Sequence, residues 1–217
     1  IYRPIHSLAD KNVLQRDIHK LSNWSDEWKL PFNNKKCKVL HLGKTNKKHI
    51  YKLGENFIQE ADSEKDIGVI IQANGTFKTH IDLIVQKANV VIGMIKRNFK
   101  NRREKVIVKL YKQFVRPKLE FCTPIWSPQT KYGINLIENV QKRALKLIPS
   151  LNGLTYQEKL TQCHLETLEA RRKKNDLILA HNIVNGSVKL DKADFFNFYQ
   201  EYERYTATRN YEKNCMV

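Results

Sequence analysis

Between Lys87 and Lys118 the chain carries Lys87, Lys96, Arg97, Lys100, Arg102, Arg103, Lys105, Lys109, Lys112, Arg116 and Lys118, with Glu104 nearly alone against them. Side chains of this type neutralise phosphates and release counterions, which makes binding steeply salt-dependent. The bland alternative is a solvated helix face. The near-absence of acids favours the phosphate reading. The whole chain leans the same way, with 39 Lys+Arg against 22 Asp+Glu and a formal net charge of +17. A polyanionic partner is therefore expected, nucleic acid before an anionic membrane surface. No stretch approaches the ~20 apolar residues of a spanning helix; the most apolar patch, Ala88 to Ile95, is too short.

Other reactive side chains are scattered. Cys37, Cys122, Cys163 and Cys215 lie far apart, with no C-x-x-C pair, so reduced thiols inside the cell are the expectation and a zinc knuckle is not. His41 and His80 have no partners at ligand spacing and read as structural or surface residues. A second basic set, Arg171 to Lys174, follows Glu166 and Glu169, and Glu169 is placed to pair with Lys173 within one helix. Trp24, Trp28 and Trp126 could stack on bases, but their places on apolar stripes or beside Pro128 point to core packing.

The elements that position these residues follow from apolar spacing. Asp10 is the expected N-cap of a helix carrying Val13, Leu14, Ile18, Leu21, Trp24 and Trp28, stopped by Leu30-Pro31. Cys37 to Leu42 alternates as a strand, followed by a basic turn at Lys44 to Lys48. His49–Leu53 and Asn56–Glu60 form an expected hairpin about Gly54-Glu55, and Asp66 to Ile71 a further strand. Beyond Gly75 the pattern turns helical. Thr79 is the expected cap of a helix with Ile81, Ile84, Val85, Ala88, Val91, Ile92 and Ile95 on one face. Next come Glu104 to Val115, with Ile107, Leu110, Tyr111 and Phe114 as its stripe; a helix with Ile134, Ile137, Val140, Ala144 and Ile148; a capping box at Thr155 to Glu158; and Leu165 to Val184. The fold class expected is α+β and mainly α-helical, a short antiparallel sheet near the N-terminus followed by a helical bundle. The tail Phe195 to Tyr211 has no clean period.

Three stretches carry a family resemblance. One is Leu14-Gln15-x-Asp17-Ile18-x-x-Leu21-x-x-Trp24-Ser25-x-x-Trp28-x-Leu30-x-Phe32-Asn33-x-x-Lys36-Cys37. The next is Lys65-Asp66-Ile67-Gly68-Val69 with His80-Ile81 and Lys87-Ala88. The last is Leu110-Tyr111-x-x-x-Val115-Arg116-Pro117-x-Leu119-Glu120-Phe121, with Trp126-Ser127-Pro128, Glu138-x-Val140-Gln141 and Leu168-Glu169-x-Arg171-Arg172. In this order they resemble the C-terminal part of reverse transcriptases from non-LTR (LINE-type, Jockey-like) retrotransposons, from Ile1 to about Gly186. By that resemblance, 1–76 is a palm remnant with motif D and the primer-grip strands around Lys65 to Ile71, 77–125 a thumb, and 126–217 a helical region beyond it.

The resemblance places the family's metal-binding aspartates upstream of Ile1. No Asp-Asp pair occurs in this sequence, and Asp10, Asp17, Asp26, Asp62 and Asp66 are isolated. Two-metal nucleotidyl transfer needs such carboxylates, so the chain alone is expected to be inactive, with no cofactor of its own and Mg²⁺ belonging to the complete polymerase. The implied partners are an RNA template, a DNA primer and the missing upstream polymerase region, in the nucleus or a cytoplasmic ribonucleoprotein. Lys36 resembles a motif D lysine that assists departing pyrophosphate, or, with Lys35 and Lys38, merely solvates a strand edge. Gly68 either lets the primer backbone approach closely or marks a bulge. Two other classes stay open: a stand-alone nucleic-acid-binding module, and a retroelement relic with no function. The N-terminal piece, lacking the rest of its sheet, is expected to leave apolar surface uncovered and to associate.

Overall fold

A computed structural model describes residues 1–43 and 45–197. Lys44, Cys215 and most of the unplaced aromatic tail lie outside the described residues. Two compact units divide the chain, Ile1–Leu168 and Glu169–Val217. The protein is mainly helical, with short strands.

In the first unit α1 (Leu8–Glu27) starts at Ser7, not Asp10. The Ser7 hydroxyl accepts the Asp10 N–H, and the Asp10 carboxylate accepts from the Ser7 N–H at 2.8 Å, a reciprocal capping box. These hydrogen bonds hold the Asp10 carboxyl below its ordinary range. Six short strands follow: β1 (Lys38–Leu40), β2 (Lys52–Leu53), β3 (Asn56–Phe57), β4 (Gln59–Ala61), β5 (Ser63–Asp66) and β6 (Val69–Gln72). They form three two-stranded ladders, and β1–β4 is parallel, so the expected single antiparallel sheet is not formed. The expected strand 66–71 straddles a turn. Asp66 pairs with Val69, and Ile67 (φ 42°) and Gly68 (φ 90°) are both left-handed between them, as a two-residue hairpin loop requires.

The helices between residues 78 and 162 share one core. α2 (Lys78–Asn98) buries His80, Ile81, Ile84, Val85, Ala88, Ile92 and Ile95, the expected stripe apart from half-buried Val91. Its start is not capped by Thr79. Phe77 occupies the cap position, and the Thr79 N–H is taken by the Gln72 carboxamide at the end of β6 (3.1 Å). α2 packs on α6 (Lys131–Leu145), which buries Gly133, Ile137, Glu138, Val140, Gln141, Ala144 and Leu145. α5 (Thr123–Trp126) and α7 (Tyr156–Gln162) close the cluster with Trp126 and Leu160. Each such aliphatic side chain contributes ~1.5–3 kcal/mol by leaving water. This core takes in residues from Val69 to Leu168.

α3 (Glu104–Leu110) does not stop before Pro117. It continues through a π-helical turn, Tyr111–Val115, into α4 (Arg116–Glu120). Proline offers no N–H to the carbonyl four residues earlier and its ring crowds that carbonyl, so the turn before it widens instead of breaking. The widened turn keeps Ile107, Tyr111, Val115 and Leu119 on the core side at uniform four-residue spacing. Phe114, expected on the stripe, is 54% exposed.

The region before residue 60 is thinly packed. Only Ile18, Tyr51 and Leu53 are buried apolar residues there, with Leu14, Cys37, Val39 and Ile58 against them. Trp126 is buried as expected, but Trp24 and Trp28 are not, at 46% and 63% exposed. Beside this cluster lies an open cleft of about 620 Å³, lined by Tyr2, Leu14, Ile18, Val39, Tyr51 and Leu53 among others. The expected uncovered apolar surface is present.

In the second unit, which Leu168–Val184 (α8) enters, the Lys173 ammonium meets Glu169 at 2.9 Å. That is the intrahelical pairing read from the spacing.

Candidate nucleic-acid interface

The helix 104–120 places its cations by simple arithmetic. Lys105, Lys109, Lys112 and Arg116 follow one another at intervals of four, three and four, so they form one ridge beside the buried row. Lys105 and Lys109 are exposed and Lys112 is half-buried. Seven residues at 1.5 Å give about 10 Å from Lys105 to Lys112, a row of cations that can lie along a phosphate backbone. The lone acid of the stretch is engaged elsewhere: Gln162 Nε2 on α7 donates to Glu104 Oε2 at 3.0 Å.

Two of the expected cations are partly spent on the fold. Arg102 is half-buried, and its Nη2 donates to the Lys96 carbonyl (3.1 Å), satisfying an orphan acceptor in the last turn of α2. Arg116 lies 3.6 Å from the Glu120 carboxylate, both side chains largely covered. Lys96 and Arg97 stand exposed at the C-terminal end of α2, where cations suit the helix dipole, and Lys100 and Arg103 are exposed on the connection to α3. Lys87 is set apart. Nine residues at about 100° each place it half a turn round α2 from Lys96.

Lys36 lies exposed in the turn before β1, its N–H bonded to the Asn33 carbonyl. Lys65 is exposed on β5. Gly68 marks no bulge. It is a hairpin-turn residue, and a Cβ there would meet Phe121 Cε1 at 3.2 Å, so the close neighbour its bare Cα admits is this chain's own Phe121.

A buried polar network ties the ridge helix to α6. The Tyr111 hydroxyl donates to Gln141 Oε1 (2.5 Å), and Gln141 Nε2 donates to the Tyr156 hydroxyl (2.9 Å) and the Glu166 carbonyl (3.0 Å). The Tyr156 hydroxyl donates to Glu138, whose Oε2 also accepts the Leu168 N–H at 3.0 Å. Burial drives both phenols far above their usual range. Glu138 and Gln141 carry no role in the spacing of the apolar stripe. Their signal in the sequence is that both interrupt the apolar face formed by Ile137, Val140 and Ala144.

His80 is buried; its Nδ1 accepts the Ile70 N–H at 3.3 Å, and its ring meets Trp126 edge-on at 5.2 Å between centroids. Burial, with Lys87 nearby, lowers its pKa. No group of three or more His, Cys, Asp or Glu that could hold a metal occurs among the described residues. No helix among them is long and apolar enough to cross a membrane.

No family model matches the chain. No solved structure matches it significantly. An uncharacterized protein of Caenorhabditis elegans is 23% identical over 124 residues, 56% of this chain. The matched stretch takes in 63% of that protein, so the chain spans less than two thirds of its relative's length.

Proposed function

We propose that this chain is part of a retrotransposon reverse transcriptase, gripping the RNA–DNA template–primer duplex and inactive without the segment that carries the metal-binding aspartates. The observation that carries this reading is the acid-free ridge Lys105, Lys109 and Lys112, on a helix whose other side packs into the core, while Glu104 turns to Gln162. Lys96, Arg97, Lys100 and Arg103 extend the cationic surface along the chain. Such contacts hold phosphates without reading bases. In this reading α2 to α4 act as the thumb, the β5–β6 hairpin as the primer grip, and residues 1–43 as the end of the palm. No group of three or more His, Cys, Asp or Glu stands together among the described residues, and no step of nucleotidyl transfer is assigned to the chain. In an intact enzyme Lys36 would assist pyrophosphate departure, and Lys36→Ala would slow single-turnover nucleotide addition.

The test is a salt titration of RNA–DNA hybrid binding by the parent and by the triple variant Lys105→Gln, Lys109→Gln, Lys112→Gln. Three lost phosphate contacts at ~0.9 each make the log–log slope shallower by about 2.7. An unchanged slope contradicts the reading.

A further inference from the structure

We propose that the outer face of α6 is a second nucleic-acid surface, one that holds a single strand. The inference rests on the reading above and adds a site that it does not contain. Tyr132, Asn135, Asn139, Arg143 and Lys146 are all exposed. Their intervals of three, four, four and three residues put them on one face. Fourteen residues at 1.5 Å make a stripe of about 21 Å, long enough for a segment of single strand to lie along it.

The chemistry of this stripe is one-sided. From Phe121 to Gln157 the only acidic residue is Glu138. Its carboxylate is buried and engaged by the Tyr156 hydroxyl and the Leu168 N–H. Nothing on the face repels a phosphate. Arg143 and Lys146 alone could be explained by the dipole at the C-terminal end of α6, but Lys131 sits in the first turn, where a cation is unfavourable and no acid offsets it. Asn135 and Asn139 are poor helix formers at exposed positions, and neither amide is hydrogen-bonded among the described residues. Helix stability does not account for these choices; amide groups offered to phosphates and base edges do.

Tyr132 decides between duplex and single strand. It is 69% exposed and shares the face with the cations, so it presents a ring on which an unpaired base can stack. A duplex keeps its bases stacked on each other and has no use for such a ring, whereas single-strand sites combine a cationic track with aromatic platforms. One exposed ring on an otherwise polar stripe is too little apolar surface for a protein interface core.

The experiment uses the full chain, a fluorescein-labelled mixed-sequence DNA single strand and the RNA–DNA hybrid, read by anisotropy across salt. Arg143→Gln with Lys146→Gln is expected to flatten the single-strand slope by about 1.4, two contacts at ~0.7 each. Tyr132→Ala is expected to weaken single-strand binding about 5- to 150-fold, the equivalent of one lost stack, while Tyr132→Phe retains it. Circular dichroism verifies that each variant is folded. Single-strand binding that matches the parent in both the double variant and Tyr132→Ala overturns the inference and leaves the duplex reading standing. Loss of single-strand binding in these variants, beside hybrid binding that ignores the Lys105, Lys109 and Lys112 substitutions, sustains the inference and overturns the duplex reading. A parent chain that binds neither nucleic acid overturns both.

Discussion

Replacing Gln141 with leucine isolates what holds the ridge helix to α6. The residue has no exposed surface and makes three side-chain hydrogen bonds, to Tyr111, Tyr156 and Glu166. Gln141→Leu fills a similar volume but takes away the acceptor of the buried Tyr111 hydroxyl. A stranded buried hydroxyl costs about 1–3 kcal/mol, and each of the other two lost bonds about 0.5–1.5 kcal/mol. Tyr156 keeps Glu138, and the Glu166 residue is exposed, so those two losses lie at the mild end. The sum is a loss of about 2–4 kcal/mol, read by urea denaturation followed by circular dichroism. Adding Tyr111→Phe removes the stranded group, so the double variant regains about 1–3 kcal/mol over Gln141→Leu. A Gln141→Leu loss below about 1 kcal/mol, or a double variant weaker than the single one, refutes this account of the network.

Three further outcomes follow from the same geometry. Gly68→Ala forces a side chain onto a left-handed turn residue and against Phe121, and is expected to cost about 1–3 kcal/mol in urea denaturation; a neutral result contradicts the turn assigned here. Burial lowers the pKa of His80 in the folded chain, while the unfolded chain takes up the proton near ~6.5. Stability is therefore full above that pH and falls as pH drops toward the folded pKa. His41 is lowered the same way in the smaller cluster, so melting temperatures of His80→Gln and His41→Gln across pH apportion the effect; a parent equally stable on both sides of ~6.5 contradicts it. Trp24→Gln with Trp28→Gln removes exposed apolar surface, reducing self-association in sedimentation velocity while changing stability by no more than about 0.5 kcal/mol. Monodisperse monomer for the parent at micromolar concentration counts against the premise.

Much of the helical half was legible in the sequence because its signals are local. The stripe from Ile81 to Ile95, the Thr155–Glu158 capping box and the Glu169–Lys173 pair need only spacing, and all are present. What failed depended on distant partners. Arg116-Pro117 read as a stop, yet a π-turn carries the helix through it because Val115 and Leu119 gain more from the core than the lost bond costs. The α1 stripe identified an apolar face correctly, but burying Trp24 and Trp28 needs an opposing surface that Tyr51 and Leu53 do not extend to supply. The three short ladders miss the expected sheet for a related reason, since two- to four-residue strands carry almost no period-two signal. The cations of the site were visible as a list. Which of them the fold consumes was not, because Arg102 finds the Lys96 carbonyl and Arg116 finds Glu120 only in three dimensions.

The most direct test of the central claim is the affinity of the full chain for an RNA–DNA hybrid measured from low to high salt. A linear log–log plot with a slope of about −2.7 or steeper, the share of three ridge lysines at ~0.9 each, is the predicted result. A flat plot, or no binding at low salt, contradicts the claim that this cationic surface grips nucleic acid.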